Sequence, residues 1–196
     1  MAIILASQSP ARQAILKNAG IAVRCIPADI DERTAEGPLL RSGANAGDLA
    51  QALAMIKAQH VSEKWPTDLV IGADQTLEIN GERLNKPDDI KTARRQLLKL
   101  SGKSHCLHCA LACCRGGVVI WQHMETVSLT MRKLTPAQIG RYLAMAGETA
   151  LTSVGAYRIE GPGIRLFERI DGDYFAILGL PLLPLLAFLR AEGEIE

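Results

Sequence analysis

Aromatic side chains are scarce: Phe, Trp and Tyr make up only 4% of the 196 residues. Platforms on which nucleic-acid bases could stack are therefore few. A surplus of one charge is also missing. Lys+Arg number 22 and Asp+Glu 21, for a formal net charge of +1, which is too little basic excess for binding nucleic acid through its phosphates. No long hydrophobic run occurs. The longest apolar tract, Phe175 to Leu189, is interrupted by Gly179, Pro181 and Pro184 and falls short of the ~20 residues that cross a bilayer. The opening MAIILAS has no basic region and only a short apolar run, unlike a secretory signal. A soluble, cytoplasmic protein is expected, with neither nucleic acid nor membrane as partner. A Walker A sequence is absent, and Gly161-Pro162-Gly163 is not a GxGxxG turn between a strand and a helix, which argues against a dinucleotide fold.

Cysteine is present in an odd number, 5, which does not suit a disulfide framework. Cys106, Cys109, Cys113 and Cys114 crowd into one segment with His105 and His108. Cys106 and Cys109 have CxxC spacing, so a zinc site is conceivable, but a second ligand pair is missing. The better reading is a buried strand in which free cysteines pack as small hydrophobes.

Hydrophobic residues amount to 48% and charged residues to 22%, enough apolar surface for a folded core. The length fits one domain, and no internal repeat or linker interrupts residues 1–196. Ala2 to Ala6 reads as a buried strand. Ser9, Pro10 and Gly20 then supply the cap, first position and stop of a helix. Ile21 to Ile26 reads as a strand and Asp29 to Arg33 as a charged turn. A helix is expected from about Asp48, as its cap, to Lys64, before Pro66. Asp68 to Ala73 is a strongly apolar strand. Asn80-Gly81 marks a hairpin, and Asp88 or Asp89 caps a helix through Leu100. Strands are expected near 104–114 and 118–131, followed by a helix opened by the Thr135–Gln138 capping box. Ile164 to Ile170 and Tyr174 to Leu178 read as strands, and Pro181 starts a last helix. This mixture of strand–helix units and hairpins predicts an α/β fold with a mixed sheet and flanking helices.

Three features carry chemistry. The Ser7/Ser9/Arg12 turn joins hydroxyls, a helix N-terminus and a guanidinium that together can surround a phosphate, although Ser-x-Ser-Pro also serves as a plain cap. Asp74 stands at the end of a buried strand, a common place for a reactive or metal-binding carboxylate in α/β sheets; Asp31 and Glu32 offer a second carboxylate. Lys57 and Lys86 are isolated lysines that could offset phosphate charge. Two acids for a divalent cation and several cations for phosphates are what chemistry at a polyphosphate requires.

These residues sit in short motifs that together resemble the Maf family of nucleotide pyrophosphatases. The likeness runs through Leu5-Ala6-Ser7-Gln8-Ser9-Pro10-Ala11-Arg12, Asp31-Glu32, Lys57-Ala58, Ile71-Gly72-Ala73-Asp74-Gln75 and Lys86-Pro87. It continues through Ser101-Gly102-Lys103-Ser104-His105, Gly155 to Gly161, and Gly179-Leu180-Pro181-Leu182. The resemblance implies a single Maf-like (ITPase-like) domain with two lobes around a central cleft, and a homodimer. It implies hydrolysis of nucleoside triphosphates to a monophosphate and pyrophosphate with Mg²⁺ or Mn²⁺. By motif position, Asp74 would activate water, and Glu32 with Asp74 would hold the metal. Ser7, Ser9, Arg12, Lys57 and Lys86 would hold the triphosphate. Base choice would fall to Ala11, Gln75 and Glu160. Gln75 and Glu160 match members acting on 7-methyl-GTP, whereas Ala11 matches neither that group nor the dTTP/UTP group. A carboxylate at 160 could accept from the N1–H and N2–H of a guanine edge. The expectation is therefore a 7-methyl-GTP pyrophosphatase. The alternatives are a dTTP/UTP enzyme or a nucleotide-dependent regulator of septum formation.

Overall fold

The computed structural model describes residues 1–196. In chain order its elements are β1 (Ile3–Leu5), α1 (Pro10–Asn18), β2 (Val23–Cys25), α2 (Glu32–Arg41), α3 (Ala46–Ser62), β3 (Leu69–Ile79) and β4 (Glu82–Leu84). There follow α4 (Ile90–Leu100), β5 (Ser104–Arg115), β6 (Val118–Met131), α5 (Pro136–Ala146), β7 (Phe167–Asp171), α6 (Tyr174–Ile177) and α7 (Leu182–Ala191). The strands run in the order β2-β1-β3-β5-β6-β7, with β4 paired to β3. β1 is parallel to β2 and to β3, with Leu5 opposite Cys25 and Ile71. The β3–β4 and β6–β7 pairs are antiparallel. The fold is α/β with a mixed sheet, as expected. No helix is long and apolar enough to cross a membrane.

The chain divides into two compact units: Met1–Gln75, His108–Glu125 and Asp173–Glu196 form the first, and Thr76–Leu107 with Thr126–Gly172 the second. In the first unit, strand alternation sends side chains to opposite faces. Leu69, Ile71 and Ala73 pack with Ile15 and Leu16 of α1 and with Leu182, Leu185 and Leu189 of α7. Val70 packs with Ile4, Ala6 and the Ala50/Ala54/Ala58 stripe of α3. The cysteines divide in the same way: Cys113 lies in the α1/α7 layer and Cys114 in the α3 layer. They are free and buried, in the core strand that their sequence pattern suggested. Burial pushes the Cys109 thiol up to about 12 and that of Cys114 up to about 11.

In the second unit, Leu77, Leu84, Leu97, Leu100, Leu107, Val127, Leu129, Ile139 and Leu143 are buried. The β3–β4 hairpin turns at Asn80-Gly81, both at positive φ (52° and 76°), as a two-residue type I′ turn demands. Thr135 and Gln138 form the expected capping box of α5.

Four expectations about elements need correction. Asp29–Arg33 is not simply a charged turn, because α2 starts at Glu32. Asp31 caps it by accepting from the amides of Arg33 and Thr34 and from the Thr34 hydroxyl. Gly37 and Pro38 hid this helix from sequence periodicity, since Pro38 lies inside it and no α2 residue is buried. The cap of α3 is Asn45 rather than Asp48; Asp48 instead returns its side chain to the Asn45 amide in a capping box. Tyr174–Ile177 is a helix, not a strand, nucleated by Asp173 accepting from the Ala176 amide at 2.8 Å. Finally, Pro162–Leu166 forms a 3-10 turn, so only Phe167–Asp171 of that region is strand.

Candidate active site

The end of β1 and the start of α1 form a rigid polar turn. Ser9 is the helix cap, and its side chain accepts from the Arg12 amide at 3.4 Å. Ser7 Oγ accepts from the Ser9 amide at 3.2 Å and from Arg12 Nη1 at 3.1 Å. A hydroxyl has two acceptor positions and one hydrogen. With both acceptor positions filled, what Ser7 retains is its O–H donor. Arg12 is tied on two further sides: Nη1 donates to the Ala73 carbonyl at 2.8 Å and Nε to the Gly179 carbonyl at 2.7 Å. These bonds fix the plane of the guanidinium and leave Nη2 as its outward donor group. The remaining Nη2 group can donate a charge-assisted hydrogen bond to a phosphate or carboxylate oxygen.

One residue beyond Ala73, the buried Asp74 meets Lys57 of α3. Lys57 Nζ lies 2.6 Å from Asp74 Oδ1 and 2.8 Å from Glu32 Oε1. The Lys57 and Asp74 side chains are only 12% and 11% exposed, while that of Glu32 is 50% exposed. A pair this enclosed responds strongly to loss of one partner, because the other charge is left uncompensated. The contact is possible because α3 lies directly on β3 at Gly72. A Cβ on Gly72 would stand 2.1 Å from the Ala54 carbonyl oxygen and 2.8 Å from the Ala58 amide nitrogen. Gly72 and Asp74 share a strand face, so the helix turn that Gly72 admits carries Lys57 onto Asp74.

Among the side chains, no group of three or more His, Cys, Asp and Glu is placed to hold a metal ion. Asp74 and Glu32 nevertheless offer carboxylate oxygens around one cationic nitrogen. Hard divalent cations such as Mg²⁺ are commonly held by one or two carboxylates, with substrate phosphates and water completing the shell. The pair fits that role.

A family model described as Maf-like protein matches residues 2–192. The chain belongs to the Maf-like family. A relative from Brucella suis, called 7-methyl-GTP pyrophosphatase, is 57% identical over 194 residues, covering 99% of this chain and 98% of the relative. One from Granulibacter bethesdensis, called nucleoside triphosphate pyrophosphatase, is 48% identical over 195 residues, covering 100% of this chain and 99% of the relative. Among solved structures, the Staphylococcus aureus Ham1 protein is a partial likeness, with a TM-score of 0.45 and 17% identity over 67% of this chain and 72% of that one.

Of the residues singled out in this Maf-like chain, the first unit brings together Ser7, Ser9 and Arg12 in one group and Lys57, Asp74 and Glu32 in another. Adjacent residues of β3, Ala73 and Asp74, join the two groups. Ala11 follows Pro10 in the first turn of α1. Asp31 is occupied as a cap, and the Thr34 hydroxyl and amide hold its carboxyl below the usual range. Gln75 turns its amide nitrogen to the Ala176 and Ile177 carbonyls, at 2.8 and 3.0 Å. Lys86 and Glu160 belong to the second unit. Lys86 is exposed between β4 and α4. Glu160 is paired with Arg158, whose Nε and Nη2 both lie 2.7 Å from its Oε1. Sequence reasoning missed the part played by Gly72, although a glycine inside an apolar strand is a recognised mark of close backbone approach. It also missed the Gly179 carbonyl as a partner of Arg12, for which a side-chain pattern holds no signal.

Proposed function

We propose that this Maf-like protein is a nucleoside triphosphate pyrophosphatase of the cytoplasm, cleaving between the α and β phosphates, with 7-methyl-GTP as its preferred substrate. The observation that carries the reading is the Asp74–Lys57–Glu32 cluster, reached through Ala73 from the Ser7/Arg12 turn. A buried carboxylate, a fixed ammonium and an outward guanidinium are the groups that hydrolysis of a phosphoanhydride uses.

In this reading Arg12 Nη2 and the Ser7 hydroxyl donate to the phosphates and set the α-phosphorus against the incoming water. Their prior hydrogen bonds mean that little order is lost on binding. Asp74, held through Oδ1 by Lys57, accepts the proton of the attacking water at its other carboxylate oxygen. Lys57 holds Asp74 in place from a helix rather than a loop and offsets negative charge that grows on the departing pyrophosphate. Glu32 and Asp74 would hold Mg²⁺ or Mn²⁺, which when bound supplies further charge neutralisation and polarises phosphoryl oxygens. Lys86 is the candidate for an additional phosphate cation.

For the base, the relatives' names and Glu160 support 7-methyl-GTP. Methylation at N7 leaves the guanine cationic, and a carboxylate binds the N1–H and N2–H donors of such a base better than an amide would. The test is pyrophosphate release, measured as kcat/KM with Mg²⁺ and with Mn²⁺, across 7-methyl-GTP, GTP, dTTP, UTP and 5-methyl-UTP. The highest kcat/KM is expected for 7-methyl-GTP, with Glu160→Gln shifting the ranking toward dTTP and UTP. Inertness toward the whole panel would refute the enzyme reading, and a ranking untouched by Glu160→Gln would refute the base assignment.

A further inference from the structure

We infer that His105 and Tyr157 are positioning residues for Glu160: their buried side-chain pair fixes the turn that carries this carboxylate, and through it the choice of nucleobase. The inference deepens the reading of Glu160 as the base-binding group and rests on it.

All the groups involved lie in the second unit. His105 stands on β5 and is buried, as is Tyr157. His105 Nε2 lies 2.7 Å from the Tyr157 hydroxyl. Its Nδ1 is buried without a partner, so the imidazole is tied through Nε2. Both rings also pack on Phe167, which Tyr157 meets edge-on at 4.7 Å between centroids. Burial keeps both groups uncharged, lowering the His105 pKa to about 4 and raising that of the Tyr157 hydroxyl. The bond thus joins two neutral groups where water has no access, and losing either partner leaves a buried polar atom unpaired.

What the pair holds is an irregular segment. Gly155 and Ala156 both take positive φ, 76° and 62°. That conformation is strained for an alanine and persists only where its surroundings fix it. Three side chains do so. The Ser153 hydroxyl donates to the Tyr157 carbonyl, and the Tyr142 hydroxyl donates to the Ala156 carbonyl at 3.0 Å. The Tyr157 ring lies so close to Gly155 that a Cβ there would stand 2.7 Å from its Cε1. The chain then turns at once. The Gly161 amide donates to the Arg158 carbonyl at 3.3 Å, and a Cβ on Gly163 would stand 2.8 Å from the Arg158 amide nitrogen. Glu160 sits inside this closed turn, its Oε1 2.7 Å from both Nε and Nη2 of Arg158. Neither a helix nor a strand carries Glu160, so its place is set by where Tyr157 ties the segment down. Releasing that tie lets the carboxylate move. The loss falls on the base that Glu160 binds, and not on the phosphates, which are common to every triphosphate.

The test uses the full-length protein and three substitutions. Tyr157→Phe keeps the ring and removes the hydroxyl, His105→Leu removes the imidazole, and His105→Gln puts an amide in place of Nε2. The kcat/KM ratio of 7-methyl-GTP to UTP should fall on the order of 5-fold in Tyr157→Phe and His105→Leu, for one lost hydrogen bond, with kcat for UTP parental. His105→Gln should keep most of the parental ratio. In a Glu160→Gln background, Tyr157→Phe should leave the ratio where Glu160→Gln alone puts it. Hydrogen exchange of the amides of residues 158–163 should quicken in Tyr157→Phe, while that of β5 should not. Unchanged exchange at 158–163 overturns the inference. So, where Glu160→Gln does shift the ranking, does an unaltered ratio in Tyr157→Phe, an equal loss for both nucleotides, or a full Tyr157→Phe effect without the Glu160 carboxylate. If exchange quickens but Glu160→Gln leaves the ranking untouched, the failure lies in the base-reading role of Glu160; the claim on base choice then falls with it, while the tie between Tyr157 and the turn stands.

Discussion

Gly72→Ala is the substitution that tests how the site is assembled. The added methyl would meet the Ala54 carbonyl oxygen at 2.1 Å and two Ala58 atoms at 2.8 Å, whereas ordinary contact begins at 3.4 Å. Two of these are backbone atoms of α3, so no side-chain rotation relieves them, and the helix must retreat by roughly 1 Å. Overpacking of this kind costs about 1–3 kcal/mol, of which the restricted unfolded chain returns only ~0.4–1 kcal/mol. The same retreat draws Lys57 away from Asp74, now at 2.6 Å. A displacement of ~1 Å in a reacting group can lower the rate on the order of 10²-fold. Urea unfolding and steady-state pyrophosphate release should therefore both fall in this variant. A Gly72→Ala protein with parental stability and parental kcat would refute the account of how α3 carries Lys57 to Asp74.

Two other measurements bear on the rest of the chain. Burial lowers the His105 pKa to about 4, from an ordinary 6.5, and its Nε2 is 2.7 Å from the Tyr157 hydroxyl. The unfolded chain thus binds the extra proton first as pH falls, so stability should drop from pH 6.5 toward pH 4, by up to about 3 kcal/mol. Urea unfolding of His105→Leu over the same range should show a flatter slope, and an unchanged slope would contradict the assignment. For the thiols, exposed Cys25 should react at once with a disulfide reagent at pH 8 and half-buried Cys106 more slowly. Cys109, Cys113 and Cys114, all buried with raised pKa values, should react only on unfolding; rapid labelling of all five would contradict the packing.

Much of the architecture was legible because local chemistry and tertiary packing agreed. Asn80-Gly81 could scarcely be anything but a tight hairpin, and Ser9-Pro10 and Thr135–Gln138 opened helices as their side chains dictate. Legibility failed where tertiary contacts overrode local pattern. α2 carries Pro38 and buries nothing, so no periodicity marks it; it is held by the Asp31 cap, by packing on α3 and by the Glu32–Lys57 pair. Tyr174–Ile177 is too short to express a helical period, and its apolar composition resembles a strand. The site divides along the same line. Asp74, Lys57, Ser7 and Arg12 stood out as charged or hydroxyl residues next to apolar elements. Their partners did not, because the Ala73 and Gly179 carbonyls are backbone atoms. The orientation of the Gln75 amide is likewise fixed only by residues about a hundred positions away.

In the proposed reaction Asp74 takes a proton from the water that cleaves the triphosphate, and single-turnover pyrophosphate release from 7-methyl-GTP by Asp74→Asn reads that step. The rate should be lower by a factor on the order of 10² or more, in a folded protein that still binds the nucleotide. An Asp74→Asn protein that releases pyrophosphate at the parental rate would contradict it.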